Sequence, residues 1–333
     1  MNLPPDEFIL VAEEAELAFL EACFTWAGVA FEHAALISRL LTNSELRGVR
    51  SHGIGWAPGY VRNLNEGQLN REPDIRVVQE NATTAVVDGD GFLGYVPTVR
   101  ATELAIAKAR EVGVGMGLVR HIGHYGAAGH YTRMCAEAGC VGYSVQGFRH
   151  DGKRHQDPKP SVTYTGAPPI SFAFPGGDEP DIVLDMVAHA LSGYIGEGYE
   201  DLPERVPGAF FKSMGLVATA AVMGAGLTGA SLDEAGAINE KWSSARAGGM
   251  VLAIDVSMAV GDAAFRQEVD RYVRDIQSSF EPMPGYDRVL LPGGIEAETL
   301  ELHRREGIRF GEREQQAARA LHEYTGVPLP WQD

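Results

Sequence analysis

The sequence of 333 residues predicts an α/β fold, and three observations carry that reading. A chain of this length with 45% hydrophobic residues has material for a sizeable core. Short apolar runs bounded by glycine and proline alternate with helical stretches from Val114 onward. Ahead of them, the first 41 residues carry helical periodicity only.

Asp6 to Ala27, closed by Gly28, and Glu32 to Leu41, with Ala34, Leu36, Ile37, Leu40 and Leu41 on one face, predict an N-terminal helical unit. After a polar segment from Glu45 to Asn70, Thr84 to Val87 reads as a strand entering the turn Asp88-Gly89-Asp90-Gly91, and Pro97 opens a helix that runs to Val112. Strands follow at Val114 to Val119, Val141 to Val145, Ile170 to Phe174 and Ile182 to Leu184, with a helix over Ala127 to Ala138. Gly147 to Pro168 and Gly193 to Pro207 lack periodicity and read as long loops of functional interest. Phe210 to Leu227 is an apolar helix, Met250 to Ile254 a strand, Ala263 to Ser279 an amphipathic helix and Val289 to Leu291 a strand. Helices near Ile295 to Arg305 and Arg313 to Tyr324 finish the chain. No internal repeat is present.

The 28 basic against 45 acidic residues give a net charge of -17, the wrong sign for a nucleic-acid partner. Three cysteines, Cys23, Cys135 and Cys140, sit among apolar residues and suit reduced thiols in the cytoplasm better than a disulfide framework. The prolines and acids of Met1 to Glu7 do not read as a secretion signal. The nearest approach to a membrane span, Met214 to Leu227, reads as too short, so no membrane partner is expected.

A dinucleotide fingerprint, Gly224-Ala225-Gly226-Leu227-Thr228-Gly229, lies at the end of a helical pattern with no strand leading into it, so it reads as helix packing and termination. The cluster from His121 to His130 joins a strand end to a helix start, where α/β folds present side chains to ligands. A histidine there suits acid/base work, because its reference pKa of about 6.5 lies near working pH. A zinc site of His121, His124 and His130 matches no recognised spacing, and Asp88 to Gly91 lacks the ligands of a calcium loop. Metal is not expected. His52 stands beside Ser51 and is flanked by glycines that allow close backbone approach, while Lys212 opens an apolar helix.

Several segments together resemble the type-2 malate/L-lactate dehydrogenase family. Leu46 to Gly53 is similar to its Ser-His-Gly segment, Val86 to Gly94 to its glycine turn, and His124-Tyr125-Gly126-Ala127-Ala128-Gly129 to its His-Phe-Gly-Ala-Ala-Gly motif. Val183 to Met186 is similar to its Leu-Asp-Met segment, Lys212 to Gly229 to its lysine helix, Leu252 to Asp255 to its late strand, and Val289 to Gly293 with Arg305 to Ile308 to its tail. The resemblance implies a non-Rossmann α/β fold: an N-terminal helical region (1–75) packed with C-terminal helices, a central mixed-sheet cofactor domain (76–255) holding the cleft, and a C-terminal segment (256–333). It further implies a homodimer and hydride transfer from NADH or NADPH to a small 2-oxo or cyclic imino acid, with an imidazolium as proton donor.

Residue by residue, His124 matches the family acid, and Ser51 and His52 match substrate-side residues. Gln146, Asp185, Met186, Val187, Lys212 and Pro292-Gly293-Gly294 match cofactor contacts. Trp56 stands where the family carries an arginine that grips the substrate carboxylate. Arg50 stands where members often carry Asp, and spacing leaves open whether it restores that grip. The segment between Asp185 and Lys212 is shorter than usual, and Gly294 replaces Glu. These departures predict an unusual substrate. The alternative is a member that has lost its redox cofactor and acts by proton transfer alone, as a lyase, isomerase or cyclase.

Overall fold

The computed structural model of the chain describes residues 3–149, 168–191, 201–230, 232 and 235–331. Most of the two loops expected after Gly147 and after Gly193 lies outside the described residues.

Strand β1 (Ile9–Val11) precedes helices α1 (Glu13–Trp26), α2 (Phe31–Leu46) and α3 (Ala57–Asn65). The first helix is therefore shorter than its periodicity suggested. Ile9–Val11 pairs antiparallel with β9 (Ile308–Phe310) near the other end of the chain, a long-range pairing that a local pattern does not reveal. One core gathers Phe19, Leu20 and Phe24 of α1, Ile37 and Leu41 of α2 and Tyr60 of α3 with Phe310 and with Leu321 of α11 (Glu312–Thr325). Helix α3 was not anticipated. Its Ala-Pro-Gly start reads as a loop, yet proline is at home in a first helical turn, where its missing N–H is not needed.

A seven-stranded mixed sheet forms the centre, in the order β2 (Arg76–Glu80), β3 (Thr84–Asp88), β4 (Val114–Ile122), β8 (Ala247–Asp255), β5 (Cys140–Phe148), β6 (Pro169–Phe174) and β7 (Ile182–Val187). Only β3 and β4 run parallel, joined by α4 (Tyr95–Val112). Side chains alternate across the sheet. Val119 faces Ala101 and Ala105 of α4 and Tyr131 of α5 (Gly129–Glu137), while its neighbour Leu118 packs with Val217 and Ala220 of α7 (Pro207–Ala221) on the other side. Between α5 and α7 the chain also forms the four-residue helix α6 (Leu202–Arg205).

A π turn, Val222–Gly226, extends α7, so that Pro207–Gly226 is one helix of 20 residues, long and apolar enough by length and composition to cross a bilayer. That corrects the expectation of a segment too short to do so, since Pro207 starts the helix earlier than its apolar run. One face of it is packed on the sheet: a Cβ at Gly224 would fall 2.1 Å from the backbone nitrogen of Gly147 in β5. Gly224 of the fingerprint thus serves helix-to-sheet contact, and Gly229, at a φ of +80°, lies in the turn after the helix, in keeping with the packing and termination read from the sequence.

Helices α8 (Ala235–Lys241), α9 (Asp262–Ser279) and α10 (Gly294–Glu306) complete the described chain. The strand expected at Val289–Leu291 is absent. The chain there touches the sheet edge through one bond, Val183 N–H to Pro292 O (3.0 Å), and turns at Gly293 into α10 before a ladder can form. All three cysteines are free and buried.

Candidate active site

Four elements converge on His124. The Arg50–His52 and Ile54–Trp56 turns bring His52 and Trp56, α3 brings Tyr60, and His124 itself lies between the end of β4 and the start of α5. The indole of Trp56 stacks on the His124 imidazole at 4.8 Å between ring centroids, and His52 stacks on it at 5.7 Å. The Tyr60 hydroxyl hydrogen-bonds His124 Nδ1. Burial keeps the Tyr60 phenol protonated, and a protonated phenol both donates and accepts. The bond occupies Nδ1 and leaves Nε2 as the ring nitrogen without a described partner.

Burial, with a smaller push from His52, lowers the His124 pKa to about 3, and burial with Arg313 nearby lowers that of His52 to about 4. Both rings are neutral near pH 7 in this state. The imidazolium that the resemblance implies is therefore not the form favoured at His124 near pH 7, because its buried surroundings desolvate the ring.

The loop around His52 is built on close approach. The Glu45 carboxyl accepts the Ile54 N–H at 2.9 Å, and a Cβ at Gly53 would fall 1.8 Å from that carboxyl oxygen. Ser51 Oγ lies 2.9 Å from His52 Nδ1. Next to His124, Gly126 adopts a φ of +81°, and a Cβ there would enter the Tyr95 ring.

The other sequence candidates separate. Arg50 turns away from His124: its guanidinium forks onto Glu314 at 3.0 and 2.6 Å and reaches the Leu3 carbonyl at 2.9 Å. Its charge is engaged in holding α11, and Trp56 is left without a cationic replacement from Arg50. The Trp56 indole N–H donates to the Ser51 carbonyl at 2.6 Å, so the indole offers its neighbours an apolar face.

Gln146, buried in β5, donates through Nε2 to the Gly123 carbonyl at 3.1 Å, one residue from His124, while its Oε1 is buried with no partner among the described residues. Asp185 accepts the N–H of Gly129, the first residue of α5, at 2.9 Å. Met186 and Val187 follow it along β7, half-buried, with Met186 packed against the α7 side of the sheet. Pro292 and Gly293 lie against the start of β7, and Gly294 begins α10. Lys212 is exposed on α7.

The remaining histidines go to different partners, His121 to Asp88 at 2.8 Å and His130 to Ser44 at 3.2 Å. No group of residues suited to a metal ion occurs among the described residues. Tyr60 and Tyr95 were missed by sequence reading. The one local signal was the spacing of four between Trp56 and Tyr60, which places both on one helix face.

The family model of malate/L-lactate dehydrogenase matches residues 11–194 and 200–317. The chain belongs to this family. It is an oxidoreductase by that membership. It is 28% identical over 330 residues to the L-sulfolactate dehydrogenase of Methanothermobacter thermautotrophicus, a match covering 91% of this chain and 93% of the relative. It is 30% identical over 315 residues to that of Methanocaldococcus jannaschii, covering 85% and 88%. Among solved structures, the malate dehydrogenase of Pyrococcus horikoshii superposes with a TM-score of 0.82 at 25% identity, covering 98% of each chain.

Proposed function

We propose that this member of the malate/L-lactate dehydrogenase family reduces a 2-oxo or 2-imino acid with an apolar side chain, using NADH or NADPH, with His124 as the proton donor. The observation that carries the reading is the Tyr60 to His124 Nδ1 hydrogen bond, which occupies one ring nitrogen and leaves Nε2 as the one available to a substrate.

The residues present suit a nicotinamide cofactor. The buried, unpartnered Oε1 of Gln146 lies next to the strand end that carries His124 and calls for an N–H donor, which a carboxamide has. Gln146, Asp185, Met186, Val187, Lys212, Pro292, Gly293 and Gly294 would hold the cofactor. When bound, it supplies the hydride.

The chain's own residues do the rest. His124, protonated as the substrate binds, gives its Nε2 proton to the substrate oxygen or nitrogen as negative charge develops there and returns to the neutral ring, and Tyr60 steadies the ring through Nδ1. His52, stacked on His124, and Ser51, bonded to His52, orient the substrate. Trp56 lines the space beside His124 with an aromatic face in place of an anion clamp, which favours an apolar or aromatic substituent. No observation of its own favours the non-redox alternative.

Exposed apolar side chains along α7 and the turn that extends it, Phe211, Leu216, Val222 and Leu227, each more than 40% exposed, support the homodimer reading. The test of the function is turnover by His124→Ala. Loss of activity at unchanged folding and cofactor binding supports the assignment, and retained activity removes His124 from it.

A further inference from the structure

A second cavity, of about 390 Å³, opens between the end of α2, helix α5 and the turn joining β6 to β7. Arg47 and Arg133 both line it. Arg133 is only 9% exposed and makes no hydrogen bond or ion pair with any described residue. Arg47 gives its Nε to Asn43 at 3.1 Å, which leaves its two terminal nitrogens free of described partners. The two guanidinium groups are close enough that burial and the charge of Arg133 lower the Arg47 pKa to about 10.

Carboxylates surround the cavity but none closes on Arg133. Asp181 accepts the Gly176 N–H, Asp185 accepts the Gly129 N–H, and Glu179 pairs with Arg274. Asp181, Asp185, Glu137 and Glu296 act on Arg133 only through longer-range attraction. A buried, unpaired guanidinium is costly, and a second one beside it adds repulsion.

We propose that Arg47 and Arg133 form a binding site for a phosphate or diphosphate group. Two adjacent guanidinium forks match the several oxygens of such a group and no single carboxylate of the chain. The group has two sources: the diphosphate of the nicotinamide cofactor, or a separate phosphorylated ligand. The first rests on the function proposed above, since Gly293 lines the same cavity and the Asp185 carboxyl and the Arg133 guanidinium both approach Gly129.

The experiment titrates the full chain and its Arg133→Met and Arg47→Gln variants with inorganic pyrophosphate and, separately, with NADH and NADPH, by calorimetry and thermal melting. Arg133 has no acceptor among the described residues, so Arg133→Met is expected to melt at or above the parent temperature without anion, and to lose the stabilisation that pyrophosphate gives the parent. Pyrophosphate affinity falls at least about tenfold in both variants, the usual weight of a charged hydrogen bond. A parallel loss of reduced-cofactor affinity assigns the site to the cofactor. An unchanged cofactor affinity assigns it to a separate ligand. Pyrophosphate binding without any cofactor binding to the parent keeps the site and overturns the redox reading. Affinities for pyrophosphate and cofactor that are equal in parent and variants, or a parent that binds none of them, overturn the site.

Discussion

Tyr60 of α3 and His124 at the β4–α5 junction share a hydrogen bond across 64 residues of sequence, which anchors a buried histidine through Nδ1. A buried imidazole without such an anchor would present either nitrogen to a ligand. The phenol occupies Nδ1 and leaves Nε2.

Tyr60→Phe is therefore expected to lower turnover about 10- to 100-fold while leaving substrate KM within about twofold, since the phenol acts through the ring and not on the substrate. A steady-state comparison of the two parameters checks it. A change in KM alone would mean that Tyr60 contacts substrate instead.

Proton uptake sets a second expectation. His52, His124 and His130 have folded pKa values of about 4, 3 and 3, below the unfolded value of about 6.5. Between these limits the unfolded chain binds more protons, so the stability that these groups contribute is full above about pH 6.5 and is lost as pH falls toward 4. Urea unfolding across pH 4.5 to 7 should show the loss. His130→Gln, which keeps a donor toward Ser44, should reduce its slope.

Much of this arrangement was legible in the sequence. The strand and helix order from Val114 to Ser279, apart from the short helices α6 and α8, followed from periodicity, and attention to His124, Ser51 and His52 followed from motif resemblance. What escaped was long-range. Tyr60 carries no motif and acquires its role only when α3 folds against His124. The role of Arg50 stayed open because spacing does not show Glu314, which lies 264 residues away and takes its Nε and one of its two terminal nitrogens. Strands β1 and β9 are three residues each, too short for a periodic signal, and exist because they pair with one another.

Trp56→Arg restores a planar cation beside His124. The variant is expected to gain at least about tenfold in kcat/KM for small anionic 2-oxo acids such as pyruvate or oxaloacetate, on the scale of one charge-assisted hydrogen bond, and to lose on aromatic ones. Kinetics with both classes check it. An unchanged preference would show that Trp56 does not face the substrate carboxylate.

Gly53→Ala should destabilise the chain by about 1 to 3 kcal/mol, because the new methyl group would overlap the Glu45 carboxyl that supports the His52 loop. Burial, with Glu314 adding to it, raises the Glu45 pKa to about 8, so this carboxyl is neutral in the folded chain at pH 7 and its contribution is lost as pH rises from about 4.5 through 8. Glu45→Gln should keep the Ile54 bond and flatten that alkaline loss. Denaturant unfolding of both variants at pH 6 and 8.5 measures it.

The most direct measurement of the central claim follows the absorbance of NADH and NADPH while the purified chain is given phenylpyruvate, pyruvate and oxaloacetate in turn. The account predicts oxidation of at least one reduced cofactor, fastest with phenylpyruvate, and a fall of about 100- to 10,000-fold in the folded His124→Ala variant. Full activity in that variant, or no oxidation of either cofactor with any 2-oxo or imino acid by the folded parent chain, would contradict it.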